Sequence, residues 1–142
     1  MPQKIKLKKG LNINLAGAAK TEYFEPKDIR LFSLRPSDFP MLVPKMLVKE
    51  GDVVKCGSPV FYSKDQPQII FASPVSGSVK AVVRGEKRRI LEIVIESDGI
   101  FSSENYALKS LNEYSAEELK ELLLKSGLWP FIKQRPYGIA AN

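Results

Sequence analysis

The sequence contains no histidine and a single cysteine, Cys56. Without histidine the chain lacks the usual general base, the commonest metal ligand and the activator of most nucleophiles. One thiol with no imidazole makes neither a zinc site nor a cysteine–histidine dyad, and it forms no intrachain disulfide. No GxGxxG or GxxxxGK[ST] loop occurs, so no phosphate cradle is legible. Long apolar runs are missing too. Met41-Leu42-Val43 and Ile93-Val94-Ile95 fall far short of the ~20 residues a spanning helix needs. No apolar stretch follows Met1-Pro2-Gln3-Lys4, so a secretory signal is not expected. These gaps point to a reducing cytoplasm, to a soluble or peripheral protein, and away from a self-contained enzyme.

What remains is an ordinary globular composition. The chain has 142 residues, 44% hydrophobic and 27% charged, enough for one domain or one domain and part of another. A chain of this size buries roughly 70% of its unfolded surface and needs no covalent staple. The net charge of +6 allows contact with nucleic acid, anionic lipid or an acidic partner without choosing among them. Its basic residues gather at Lys4/Lys6/Lys8/Lys9 and at Arg84/Lys87/Arg88/Arg89.

Lys4-Ile5-Lys6-Leu7-Lys8 alternates charge with apolar side chains, which predicts a half-buried strand with lysines on the solvated face. Leu11-Asn12-Ile13-Asn14-Leu15 alternates again between Gly10 and Gly17. Pro26, Pro36, Pro40 and Pro44 then exclude a long helix and remove ladder donors, leaving a strand at residues 29–34 and a loop at 35–40. Beyond Leu47-Val48 the chain becomes regular. Turns at Glu50-Gly51-Asp52, Gly57-Ser58-Pro59, Lys64–Pro67, Ser73–Gly77 and Arg84–Lys87 separate short β-rich segments, the spacing of a small barrel or sandwich. Val79, Ala81 and Val83 are expected inward on one strand. Leu91, Ile93 and Ile95 are expected inward on the next, with Glu92 and Glu96 opposite. Composition shifts near residue 100. Ser115-Ala116-Glu117-Glu118 fits a capping box, Leu119, Leu122 and Leu123 form a helical stripe, and Gly127 followed by Pro130 ends it.

The stretch from Val48 to Phe61 resembles the VxxGDxVxxGxxL opening of lipoyl and biotinyl carrier domains, and Ser73-Pro74-Val75-Ser76-Gly77-Ser78-Val79 resembles their later SPxxGxV turn. The resemblance implies a mostly β (α+β) chain built on a barrel-sandwich hybrid. Gly51, Gly57 and Gly77 would take its tight turns, and Val54, Val60 and Val79 its core. Carriers are modified on a lysine at the hairpin tip between the two halves, where Lys64 lies. Lipoyl domains carry Asp-Lys-Ala there and biotinyl domains Met-Lys-Met. Ser63-Lys64-Asp65 departs from both, so Lys64 is expected to be an unmodified solvated lysine.

Nearly the whole chain is similar to the A subunit of the bacterial sodium-translocating NADH:quinone oxidoreductase. The similarity is carried by Lys9–Gly17, the carrier-like stretch, the Arg84-Gly85-Glu86-Lys87-Arg88 hairpin, and Ser126-Gly127-Leu128-Trp129 followed by Arg135-Pro136. It implies a peripheral protein on the cytoplasmic side of the bacterial inner membrane, partnered by the complex's other subunits, membrane subunits included. In that complex flavin, iron–sulfur and NADH chemistry lie elsewhere, and the A subunit is associated with quinone. Residues 1–100 would form the β domain with its N-terminal extension, and 101–142 the linker, the helix and the start of a following domain. Flavin-binding relatives place a glycine-rich loop after the equivalent Ser-Gly-Leu. Trp129-Pro130-Phe131 stands there instead, so neither an FMN nor an NADH site is expected, and no covalent cofactor. For quinone, Trp129, Phe131, Tyr137 and Phe39 offer flat apolar faces, and Arg135 offers donors to a head-group carbonyl. A plainer expectation is that these aromatics pack against a following domain. Two alternatives remain open: a carrier modified on Lys64, and a basic β-barrel for single-stranded nucleic acid, although the 84–89 tip lacks the stacking aromatics such barrels use.

Overall fold

The computed structural model describes residues 16–23 and 28–141. The strands expected at Lys4–Lys8 and Leu11–Leu15, and most of the Lys9–Gly17 motif, lie outside those residues. The elements are β1 (Leu31–Leu34), β2 (Pro44–Met46), β3 (Val53–Val54), β4 (Pro59–Ser63), β5 (Ile70–Ala72), β6 (Gly77–Arg84), β7 (Ile90–Ser97), α1 (Ala116–Lys125), β8 (Lys133–Gln134) and β9 (Ile139–Ala140). One antiparallel sheet runs β1-β7-β6-β3, a second runs β2-β4-β5, and β8 and β9 make a small hairpin.

The apolar faces of the two larger sheets supply one core of Val54, Val60, Phe61, Ile69, Phe71, Val75, Val79, Ile93 and Ile95. Phe61, Val60, Ile93 and Ile95 have no exposed surface, and each such side chain is worth ~1.5–3 kcal/mol over leaving it in water. Val54, Val60 and Val79 are all inside, where the carrier-like pattern puts them. Its three glycines all have positive φ, at 89° for Gly51, 93° for Gly57 and 151° for Gly77. Gly77 has a second reason to be glycine: a Cβ there would sit 1.9 Å from the Glu96 carbonyl oxygen of the neighbouring strand. The turn at 49–52 also ties the chain's early and late strands together. The Gly51 amide donates to the Val79 carbonyl at 2.8 Å, the Val79 amide to the Asp52 carbonyl at 2.9 Å, and the Val82 amide to the Glu50 carboxylate at 2.7 Å.

Three sequence expectations change. Pro44 removes a ladder donor, yet β2 begins on it, because β2 is an edge strand and the missing donor leaves no ladder partner unpaired. Inward alternation along β6 breaks at Lys80, an unpaired bulge residue between the pairs Val79–Ile95 and Ala81–Val94. Val82 therefore packs on the core, and Val83 turns out. A second irregularity leaves Leu91 unpaired between Val83–Glu92 and Arg84–Ile90, so Ile90 packs inward and Leu91 is exposed. Glu92 and Glu96 do lie on the outer face, bridged to Arg35 at 3.3 Å and Lys80 at 3.1 Å.

Candidate functional site: an aromatic cleft beside the barrel

The chain after β7 is pinned to the barrel. The Cys56 amide donates to the Ser102 carbonyl at 2.9 Å, the Glu104 amide to the Cys56 carbonyl at 2.8 Å, and the Ser58 hydroxyl to the Glu104 carboxylate at 2.8 Å. A loop precedes this clip. In it Asp98 accepts from the Ser76 hydroxyl at 2.7 Å and from the Ile100 amide at 2.8 Å. These bonds, the Ser76 hydroxyl first, hold the Asp98 carboxyl below the usual carboxylate range.

Helix α1 opens with the expected capping box. The Ser115 hydroxyl accepts from the Glu118 amide at 3.1 Å, and Glu118 accepts from the Ser115 amide at 2.9 Å. That backbone bond, helped by Lys109, lowers the Glu118 pKa. Leu119, Leu122 and Leu123 are half-buried, and Leu124 reaches the core. The helix ends in a Schellman motif: the Gly127 amide donates to the Leu124 carbonyl at 3.2 Å and the Leu128 amide to the Leu123 carbonyl at 3.1 Å. Gly127 has φ 73°, and a Cβ on it would lie 2.7 Å from the Cβ of Ala72 in β5. This contact sets the helix end directly on the barrel.

A cleft of about 260 Å³ opens at that junction. The barrel contributes Leu34, Phe39, Cys56, Gly57 and Phe71 to Pro74; the C-terminal segment contributes Ser126 to Leu128 and Phe131. Four rings run outward from the core. Phe61 stacks on Phe71 at 4.7 Å, Phe71 meets Phe39 edge-to-face at 4.6 Å, and Phe39 meets Phe131 at 6.1 Å. Phe61 is fully buried, whereas Phe131 is 66% exposed. A second cleft of about 180 Å³, lined by Met41, Leu42, Ile69 and Ile139 among others, shares Phe39 and Phe71 as a wall.

The polar groups around the first cleft are already engaged. The Ser73 hydroxyl donates to the Val75 carbonyl at 2.6 Å, the Cys56 thiol to the Pro74 carbonyl at 3.3 Å, and the Ser126 hydroxyl to the Leu123 carbonyl at 3.2 Å. The cleft thus offers aromatic and aliphatic surface rather than free donors. Its volume lies just under the ~300–1,000 Å³ of sites for drug-sized ligands.

Of the five candidate residues read from the sequence, Phe39 and Phe131 meet here. Trp129 is half-buried and committed to structure: its indole donates to the Ala141 carbonyl at 2.8 Å, and Lys120 lies 5.2 Å from the ring centroid. Arg135 and Tyr137 stand on the exposed turn between β8 and β9 and do not line the cleft. Phe71, Leu128 and Leu34, absent from the sequence-derived set, line it instead. Lys64 lies exposed in the β4–β5 turn, its amide donating to the Val43 carbonyl at 2.8 Å. After Ser126, the Gly127, Leu128, Phe131 and Ile132 amides all donate within the chain, and Pro130 has none to give. Among the described residues no three His, Cys, Asp or Glu side chains group as metal ligands, and no helix is long and apolar enough to cross a membrane.

Two facing sheets, glycine turns at the start of each half and one shared core define a barrel-sandwich hybrid domain. Residues 5–98 match the family model described as the NqrA N-terminal barrel-sandwich hybrid domain. The chain belongs to that family. It is 38% identical over 135 residues to the A subunit of the Na(+)-translocating NADH-quinone reductase of Neisseria meningitidis serogroup A (strain DSM 15465 / Z2491), covering 94% of this chain and 30% of that protein. The protein of the same name from Tolumonas auensis is 39% identical over 136 residues, and that of Yersinia pestis 38% over 135, with the same two coverages. The chain therefore spans about a third of the length of these curated relatives.

Proposed function

We propose that this chain acts as a peripheral piece of the A subunit in a sodium-pumping NADH:quinone oxidoreductase, on the cytoplasmic side of the bacterial inner membrane. The observation that carries this is the 38–39% identity to proteins of that name across 94% of the chain. Its work is to scaffold the other subunits and to give quinone an apolar surface; hydride, flavin and iron–sulfur chemistry belong to its partners. The Gly127, Leu128, Phe131 and Ile132 amides, all engaged within the chain, support reading no nucleotide or flavin cradle at this place. The same reading leaves Lys64 unmodified.

For quinone, the cleft between Phe39, Phe71, Leu128 and Phe131 brings three phenylalanines onto one largely apolar lining. A ring can insert against the outermost pair of aromatics and gain offset or edge-to-face contacts worth ~0.5–1.5 kcal/mol each beyond area burial. Arg135 then acts outside the ring-binding surface.

Two measurements test this. The tagged chain, expressed in its own bacterium within the full-length protein, should co-purify from solubilised membranes with sodium-stimulated NADH:quinone reductase activity. Purification apart from that activity overturns the assignment. Calorimetry with a short-chain quinone analogue should show saturable binding, weakened about tenfold by Phe131→Ala and left unchanged by Arg135→Ala. Equal binding by the Phe131 variant moves quinone away from this cleft.

A further inference from the structure

Four of the six residues at 84–89 are cations. Arg84, Lys87, Arg88 and Arg89 are all exposed at the tip of the β6–β7 hairpin. None of them joins a salt bridge among the described residues, and the Arg84 guanidinium reaches only the Arg88 carbonyl, at 3.4 Å. Lys87 and Arg88 have φ of 53° and 60°, a left-handed conformation that side chains with a Cβ take at a cost. The fold thus holds four like charges together, two of them on strained backbone, with Glu86 as the only acid in the turn.

Beside them the bulge turns Leu91 outward. Leu91 exposes 45% of its surface and Val83 38%, so aliphatic groups flank the charges at the end of a two-stranded arm. Long cationic stems around exposed aliphatic side chains match the boundary of an anionic bilayer, where ammonium and guanidinium groups meet phosphates and the stems lie along acyl chains. Single-stranded nucleic acid fits less well, since no aromatic stands at the tip to stack a base. An acidic protein face with an apolar centre would match the same groups, and vesicle binding separates it from lipid.

We propose that the β6–β7 tip is a contact for anionic phospholipid headgroups, holding this protein against the bilayer. The choice of lipid rests in part on the reading of the chain as part of a membrane complex. Co-purification with the reductase and quinone binding, both measured without added vesicles, report on that reading separately.

The test is co-sedimentation of the chain with phosphatidylglycerol/phosphatidylcholine vesicles, against phosphatidylcholine alone. Binding should require the anionic lipid and fall with salt. Each basic residue near such a surface is worth about 1 kcal/mol, or roughly fivefold in partitioning. Replacing Arg84, Lys87, Arg88 and Arg89 with Gln should therefore weaken binding more than 100-fold, to the order of magnitude. Replacing Lys4, Lys6, Lys8 and Lys9 with Gln lowers the formal charge by the same four and should cost far less. Leu91→Ser should weaken binding at unchanged charge. On the unaltered chain, anionic vesicles should slow acetylation of Lys87 and spare Lys64, a readout independent of how any variant folds. Equal losses in the two charge-matched variants, unprotected Lys87, or no binding to anionic vesicles would overturn the proposal.

Discussion

Gly127→Ala tests how the C-terminal segment is seated. Two costs add at this position. An L side chain at φ 73° takes the left-handed region, at about 1–2 kcal/mol. Its Cβ also lands 2.7 Å from the Ala72 Cβ and 3.3 Å from the Ala72 amide nitrogen, so helix and strand must separate, and overpacking of this kind costs about 1–3 kcal/mol. The sum, about 2–5 kcal/mol, lowers Tm on the order of 10 °C for a chain of this size. The partner variant Ala72→Gly costs only ~0.5–1 kcal/mol by itself, the ordinary penalty of glycine in a strand. In the double variant the 2.7 Å Cβ–Cβ clash is gone, while the 3.3 Å approach to the residue 72 amide and the backbone cost stay, so the two changes together should be less damaging than their sum by about 1 kcal/mol or more. Urea titration followed by circular dichroism of the four proteins closes the cycle. Because Gly127 also lines the aromatic cleft, Gly127→Ala should weaken quinone-analogue binding and Ala72→Gly should restore part of it. A loss within about 0.5 kcal/mol for Gly127→Ala, or additivity in the cycle, refutes this seating of the helix end.

Three more outcomes are expected. Gly77→Ala pushes a Cβ into the Glu96 carbonyl across the central strand pair, and it should prevent soluble expression or lower Tm more than Gly127→Ala does in the same melt. Asp98 is held below its ordinary pKa chiefly by the Ser76 hydroxyl, so its contribution to stability is fully present above the ordinary carboxylate value and is lost as pH falls through the depressed one. The Ile100 amide resonance should report that titration, Ser76→Ala should move it to higher pH, and Asp98→Asn should abolish it. Intact mass after expression with lipoyl and biotinyl ligases should show no adduct; a mass increase lost in Lys64→Arg would revive the carrier reading.

The barrel was legible because its turns carry chemistry. Gly51, Gly57 and Gly77 mark backbone that only glycine takes cheaply, and the valines placed by that spacing are the ones inside. The capping box was legible for the same reason: serine and glutamate three residues apart satisfy specific amides. The bulges at Lys80 and Leu91 were not, since alternation is set jointly by the strand and its partner, and a one-residue slip leaves no mark in composition. Strand β2 was hidden by its proline, whose edge position depends on which strands neighbour it. Within the site, Phe39 and Phe131 could be singled out as aromatics in proline-punctuated loops. Phe71 reads as one more apolar residue of a core strand, and only the docking of Gly127 on Ala72 shows that its ring also faces a cleft. Trp129 looks like a ligand surface from sequence, yet its indole N–H is used on the Ala141 carbonyl.

The way the two sheets divide the chain bears on what a single cut would do. Residues before the Lys64 turn supply β1 and β3 to one sheet and β2 and β4 to the other; residues after it supply β6 and β7 to the first and β5 to the second. A protease that nicks this exposed turn would leave two pieces, each holding unfinished portions of both sheets, interlocked through Val53–Ser78, Phe61–Phe71 and Phe32–Ile95 pairs. Such halves have no reason to fold alone and every reason to find one another. The strand pairs across the cut predict that the nicked halves stay together as one domain, which co-elution of both pieces after limited proteolysis would check.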